Sequence, residues 1–154
     1  MGEPIDWRKP QPLPSELGRV LRAEFPMITA TGIFNDRNIA GTNKKSAHAE
    51  GRAIDIHLKV SDPTQRMVGD RLFDILIAAA DVQGADSVIW NKQIWSTRHR
   101  YKRPYSGQNP HTDHIHVEFT RAGSQTRVVD FLQVKLAQLR TGVEELSQAY
   151  SPTA

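Results

Sequence analysis

From Arg52 to Val60 the sequence alternates strictly, with Ile54, Ile56, Leu58 and Val60 on one side of an extended chain and Ala53, Asp55, His57 and Lys59 on the other. A period of two marks a strand with one face on a core and one turned away from it. The chain must therefore build a sheet that has apolar material to lie against. A second run, residues 114 to 120, sets Ile115, Val117 and Phe119 against His114, His116 and Glu118. Asp86 to Trp90 and Gln93 to Trp95 predict two further short strands around a turn at Asn91-Lys92, and Met27 to Phe34 predicts another.

The apolar partner comes from helices. Ser15 is expected to cap a helix running to about Phe25, with Leu17, Val20 and Leu21 on one side and Pro26 ending it. Asp62-Pro63 forms an N-cap and N1 pair. Met67, Val68, Leu72, Ile75, Leu76 and Ala79 carry the stripe of a second helix that stops at Gly84. Residues 125 to 150 predict one long helix, in which Leu132, Leu136, Leu139, Val143, Leu146 and Tyr150 recur at alternating steps of four and three. Such heptad-like spacing suits either docking on its own domain or a partner or dimer seam. The fold class is thus α+β, a small antiparallel sheet flanked by helices with a long C-terminal helix.

A chain of 154 residues with 38% hydrophobic content fits one domain. The expected division is an extended, loosely packed N-terminal arm over 1–14, which holds four of the nine prolines, a central domain over 15–124 and the C-terminal helix over 125–154. The N-terminus has no apolar segment of secretory type and no stretch approaches the ~20 apolar residues of a membrane span. No membrane contact is expected, and action in a periplasm or cell wall would need delivery by another route.

There are no cysteines, which excludes thiolate metal sites, disulfides and cysteine nucleophiles. Any metal must be held by imidazole and carboxylate. Four of the six histidines fall in two short segments, SAHAEGRAID at 46–55 and HTDHIH at 111–116. In the second, His114, His116 and Glu118 share one face. Asp55, on the polar face of its own strand, can meet His116 if the two strands are neighbours. Gly51 allows the chain to turn so that His48 returns to the same point. Two imidazoles and one carboxylate meet the need of a catalytic zinc for three protein ligands and one open position.

These residues resemble a known group. SAHAEGRAID is similar to the SxHxxGxAxD motif of the D-alanyl-D-alanine metallopeptidases. DHIHVEF is similar to the closing HxH strand of their wider relatives, which include lysostaphin-type enzymes and the zinc domain of hedgehog proteins. The resemblance covers about Gly32 to Phe119. It implies one Zn2+ held by His48, Asp55 and His116, with Ser46 helping to hold the first motif in place, and cleavage of peptide bonds in peptidoglycan stem peptides or cross-bridges. Two family patterns overlap on the catalytic base. One places a carboxylate three residues before the last ligand, at Asp113. The murein endopeptidase branch uses the first histidine of HxH and another three before it, at His114 and His111. Asp113 and His114 are expected to act jointly, and His111 either to orient a ligand or to take part in catalysis. Related peptidases often place a cation ahead of the first motif to hold a substrate carboxylate, which suggests Arg37.

Trp90, Trp95, Tyr101 and Tyr105 could wall a cleft or cap the core. His57 could support the site or stand exposed, and His99 is read as a loop residue. The main expectation is a zinc peptidase, with an endopeptidase favoured over a D-Ala-D-Ala carboxypeptidase. The alternatives are a non-catalytic zinc-containing module that binds cell wall, and a nucleic-acid binder suggested by the basic and aromatic run at 96–105. The net charge of +3 and the pI near 9.4 add little to the last, and no nucleic-acid partner is expected.

Overall fold

In the computed structural model, the backbone is described for residues 3–150 and the side chains for residues 3–149. Helix α1 (Pro12–Glu24) is followed by the two-residue strand β1 (Thr31–Gly32), a 3-10 turn (His48–Glu50) and β2 (Ala53–His57). Helices α2 (Pro63–Ala78) and α3 (Ala80–Gln83) lead to β3 (Ala85–Trp90), β4 (Gln93–Ser96) and β5 (Arg103–Pro104). Strand β6 (His114–Phe119), α4 (Arg121–Ser124) and α5 (Asp130–Tyr150) complete the chain. The fold is α+β. Its six strands form one antiparallel sheet in the order β1-β2-β6-β3-β4-β5, so the last strand in sequence is a central one.

One face of the sheet is the core face. Ile54 and Ile56 stand opposite Val117 and Ile115, and Val88 stands between Val117 and Trp95. All six belong to the buried core, together with Leu13, Leu17 and Leu21 of α1, Leu72 and Leu76 of α2, and Leu132 and Leu136 of α5. Burying each such side chain contributes about 1.5–3 kcal/mol. Trp90 lies flat against α2 where Gly69 leaves room, since a Cβ at that glycine would come within 2.2 Å of the indole. Its Nε1 donates to Asp70 at 2.9 Å. Both Trp90 and Trp95 are therefore core residues and wall no cleft.

Several boundaries differ from the sequence expectation. Helix α1 begins at Pro12, three residues ahead of Ser15, because prolines at the first positions of a helix lack N–H groups that have no partner there anyway. Gln11 is the capping residue, and the Ser15 hydroxyl donates back to its carbonyl at 2.8 Å. Leu13 is fully buried and Gln11 is 2% exposed, so the end of the 1–14 segment is packed rather than loose. The strand expected over Met27 to Phe34 is confined to Thr31–Gly32, an edge that meets only the five-residue β2. The loop over 96–110 contains β5, and α5 starts at Asp130 instead of 125. Just ahead of α5, the backbone N–H groups of Val128 and Val129 donate to Glu16 and Gln83. Helical bonds are thereby replaced by tertiary ones.

Helix α5 packs against α1 and α2 with Leu132 and Leu136 buried and Leu139 and Val143 partly so, while Leu146 is exposed. The side chain of Tyr150 and residues 151–154, which the expected helix included, lie outside the described residues, as do residues 1–2 of the expected arm. Among the described residues no helix is long and apolar enough to cross a membrane.

Candidate metal centre

The register of the sheet builds the site. Asp55 of β2 lies directly opposite His116 of β6, and His57 lies opposite His114. Opposed residues of an antiparallel pair share a face, and since Ile54, Ile56, Ile115 and Val117 point into the core, Asp55, His114 and His116 point away from it. His48 comes from the 3-10 turn. Ser46 holds that turn, its hydroxyl accepting the Ala49 N–H at 3.2 Å and its own N–H donating to the Arg37 carbonyl at 3.0 Å. Gly51 ends it in the left-handed region, at φ 68°. A Cβ there would fall 1.9 Å from the Lys9 carbonyl oxygen, so glycine is required both for the turn and for the closeness of the N-terminal segment. Gln11 fastens that segment. Its N–H donates to the Gly51 carbonyl at 3.0 Å, and its side-chain amide donates to the Asp6, Lys9 and Glu50 carbonyls. Glu50 is also held by Arg52 and Arg121.

Three atoms converge on one point. His48 Nε2 lies 3.1 Å from Asp55 Oδ1 and 3.2 Å from His116 Nδ1, which is itself 3.1 Å from Asp55 Oδ1. A tetrahedral ion with bonds of about 2.0–2.1 Å has ligand-to-ligand edges of roughly 3.3 Å, close to this triangle. The far side of each imidazole is engaged. His48 Nδ1 is 2.7 Å from the Ile33 carbonyl and His116 Nε2 is 3.0 Å from Glu118 Oε1, and both partners can only accept. Each outer nitrogen therefore carries a ring hydrogen, and with no further proton the two inner nitrogens turn lone pairs toward each other and toward a carboxylate oxygen. Three acceptors so close repel unless a cation lies among them.

A proton can play that part. Burial opposes a charge on His116, but hydrogen bonds to Asp55 and Glu118 outweigh it and raise the imidazole to about 9. Burial likewise pushes the Asp55 carboxyl up, and hydrogen bonds from His116 and His48 more than reverse this, holding it well below the usual carboxylate range. Glu118 is lowered by the same balance, burial being outweighed by its bond to His116. Among the described residues His48, Asp55 and His116 are the group of His, Asp and Glu side chains able to hold a metal ion.

The other candidate residues lie at graded distances. His114 Nε2 is 3.6 Å from Asp55 Oδ1, facing the triad, while its Nδ1 is 2.7 Å from Asp113 Oδ1. Asp113 is 74% exposed and stands behind the imidazole, and its carboxyl is held below the usual range chiefly by that hydrogen bond. His111 is buried, with Nδ1 donating to the Asn109 carbonyl at 2.7 Å and its ring packed 4.6 Å from that of His114 and 5.8 Å from that of His116. Burial first, then the neighbouring His114, lower it to about 4. Tyr105 packs edge-on against the His111 ring, with centroids 5.1 Å apart.

Arg37 is exposed on the loop before the 3-10 turn, and among the described residues its guanidinium makes no ion pair. His57 is exposed beside His114, Tyr101 is exposed, and His99 lies on the loop against Tyr101. Two groups escaped the sequence reading. The period of two places Glu118 on the correct face but carries no sign of its bond to His116. Gln11 carries no local signal, because its partners are backbone carbonyls as far as 39 residues away.

Fold and site together define a small α+β domain with a two-histidine, one-carboxylate centre on the open face of its sheet. The chain belongs to the VldE C-terminal domain family, whose model matches residues 9–116, a span that takes in the whole triad. Neither curated proteins nor solved structures yield a match to the chain.

Proposed function

We propose that the chain is a zinc-dependent peptidase that hydrolyses peptide bonds of bacterial peptidoglycan, opening cross-links between stem peptides in preference to releasing terminal D-alanine. The observation that carries the metal is the triangle of acceptor atoms from His48, Asp55 and His116, with both imidazoles oriented from behind by a second partner. The substrate class rests on the SAHAEGRAID and DHIHVEF motifs. The donor set fits zinc, which takes imidazole nitrogen and carboxylate oxygen and in catalytic sites keeps one position open.

Bound there, zinc supplies Lewis acidity that polarises a peptide carbonyl and makes water nucleophilic near neutral pH. His48, Asp55 and His116 hold it, and the Ile33 carbonyl and Glu118 fix the two rings. Proton transfer falls to His114. Its Nδ1–H donates to Asp113, which leaves the lone pair on Nε2, the nitrogen that faces the triad. Nε2 accepts the proton of the attacking water and returns it to the leaving amine, and Asp113 stabilises the imidazolium formed in between. His111, kept neutral by burial, packs against His114 and His116 and holds both rings in place.

Digestion of purified peptidoglycan, with the products weighed by mass spectrometry, tests the reading. Cross-linked dimers should be converted to monomers, and Arg37→Ala should change the rate little. Release of D-alanine from uncross-linked pentapeptides, abolished by Arg37→Ala, would replace the endopeptidase by a carboxypeptidase. Zinc retained without any product would mark a binding module.

A further inference from the structure

One row of residues crosses all six strands on the metal face: Gly32, Asp55, His116, Ile89, Ile94 and Arg103, each directly opposite the next. Arg103 therefore lies on the same face as the metal triad. Its neighbour Lys102 confirms the phase of β5, pointing to the helix side, where it pairs with Asp74 and sits 4.8 Å over the Phe73 ring of α2. Arg103 is half-buried, and it has no carboxylate partner among the described residues, unlike Arg52, Arg100, Arg121 and Arg140. Its Nε is buried without a hydrogen-bond partner. So is Oγ of Ser96, which lies two residues along β4 from the residue opposite Arg103 and thus diagonally beside it on the same face. A half-buried cation next to an unsatisfied hydroxyl is costly unless something else satisfies both.

We infer that the terminal guanidinium nitrogens of Arg103 form a subsite for a carboxylate of the substrate peptide, three strands from the metal triad along the row that runs through Ile89 and Ile94. The inference rests on the peptidase reading and adds to it a specificity-determining residue for acidic stem peptides. Three strand spacings separate Arg103 from His116, about 14 Å at ~4.8 Å each. An extended arginine side chain directed toward the triad would span part of this gap. The carboxylate it holds therefore belongs to a residue roughly two to four positions from the scissile bond, at ~3.3 Å per residue of extended peptide. A guanidinium can bind such a carboxylate through two parallel N–H bonds.

The test uses the full zinc-loaded chain and two substrates: cross-linked muropeptide dimers with free stem-peptide carboxylates, and the same dimers with those carboxylates amidated. The wild type should cut the acidic dimers with a kcat/KM at least about 10-fold higher. Arg103→Gln should lose about 10- to 100-fold on the acidic dimers and nothing on the amidated ones. Equal wild-type rates on both, or an equal loss on both in the variant, overturns the inference. If Arg103→Gln does not take up zinc, Arg103→Lys replaces it, with a smaller loss again confined to the acidic dimers. Should the zinc-loaded wild type cut neither substrate, the peptidase reading fails on its own, and calorimetric binding of the uncut dimers decides the subsite. Preference for the acidic form, lost in the variant, upholds it, and indifference to amidation overturns it.

Discussion

Substituting Gly51 by Ala should cost more than its backbone angle accounts for, because two separate constraints meet there. With φ at 68° and ψ at 16°, an alanine pays about 1–2 kcal/mol for the left-handed conformation. The added Cβ would also stand 1.9 Å from the carbonyl oxygen of Lys9 and 2.9 Å from Cα of Pro10, both backbone atoms that no rotamer can move aside. The N-terminal segment must retreat, which breaks the bond from the Gln11 N–H to Gly51 and at least one bond from the Gln11 side chain. Each is worth about 1 kcal/mol. The expected total is about 3–4 kcal/mol, a large share of the roughly 5–15 kcal/mol that holds a domain together. Urea unfolding of the metal-free protein measures it. The same substitution in a chain beginning at Gln11 should cost only the conformational ~1–2 kcal/mol, since the segment it strikes is gone. Equal costs in the two backgrounds would refute the claim that the segment presses on the His48 turn.

Four further outcomes follow from the site. His48→Ala, Asp55→Ala and His116→Ala should each abolish stoichiometric zinc by elemental analysis, because a centre with three protein ligands has none to spare; full occupancy in any of them would remove that residue from the ligand set. His114→Ala should keep zinc and lose about 10²- to 10⁴-fold in turnover, whereas Asp113→Asn, which alters only the partner behind the ring, should lose less; a larger loss in Asp113→Asn would make the carboxylate the base. Glu118→Gln should weaken zinc affinity by about 10- to 100-fold in a competition titration with a chelator, and unchanged affinity would show that its bond to His116 is incidental. In the metal-free protein His116 is raised to about 9 from an unfolded value near 6.5, so its charged form adds stability that is full below about pH 6.5 and fades as pH rises through 9. Zinc must displace that proton, so calorimetry at pH 7 in buffers of different ionisation enthalpy should register release of about one proton per zinc, and heats independent of buffer would contradict it.

The facing of the two strands that carry the site is legible, because alternation survives wherever one face is buried, although β2 ends at His57, short of the expected Val60. Their adjacency is not. Asp55 and His116 are separated by 61 residues, and nothing in either segment states that β6 inserts beside β2 rather than at an edge. The start of α1 was obscured by Pro12 and Pro14, which look like punctuation in a sequence and act as first-turn residues in the helix. The tryptophans were ambiguous for a related reason, since an indole suits a cleft or a core equally until its N–H finds a partner, here Asp70. The expected helix takes in residues 125–129, but the N–H groups of Val128 and Val129 are claimed by Glu16 and Gln83, contacts that local propensity cannot register.

The central position of β6 has a consequence for when the site can exist. As the chain folds, β3 and β4 can close locally as a hairpin, and His48 and Asp55 are only seven residues apart, but β6 must be captured between β2 and β3 across a long loop. Closing such a loop is slow and is rewarded only when both neighbours are ready. A metal ion meeting the unfinished chain would find two ligands and hold weakly. If the triad holds zinc as proposed, tight retention would begin only when β6 locks in, so the rate at which a refolding sample becomes resistant to chelation should match the rate at which its sheet is completed.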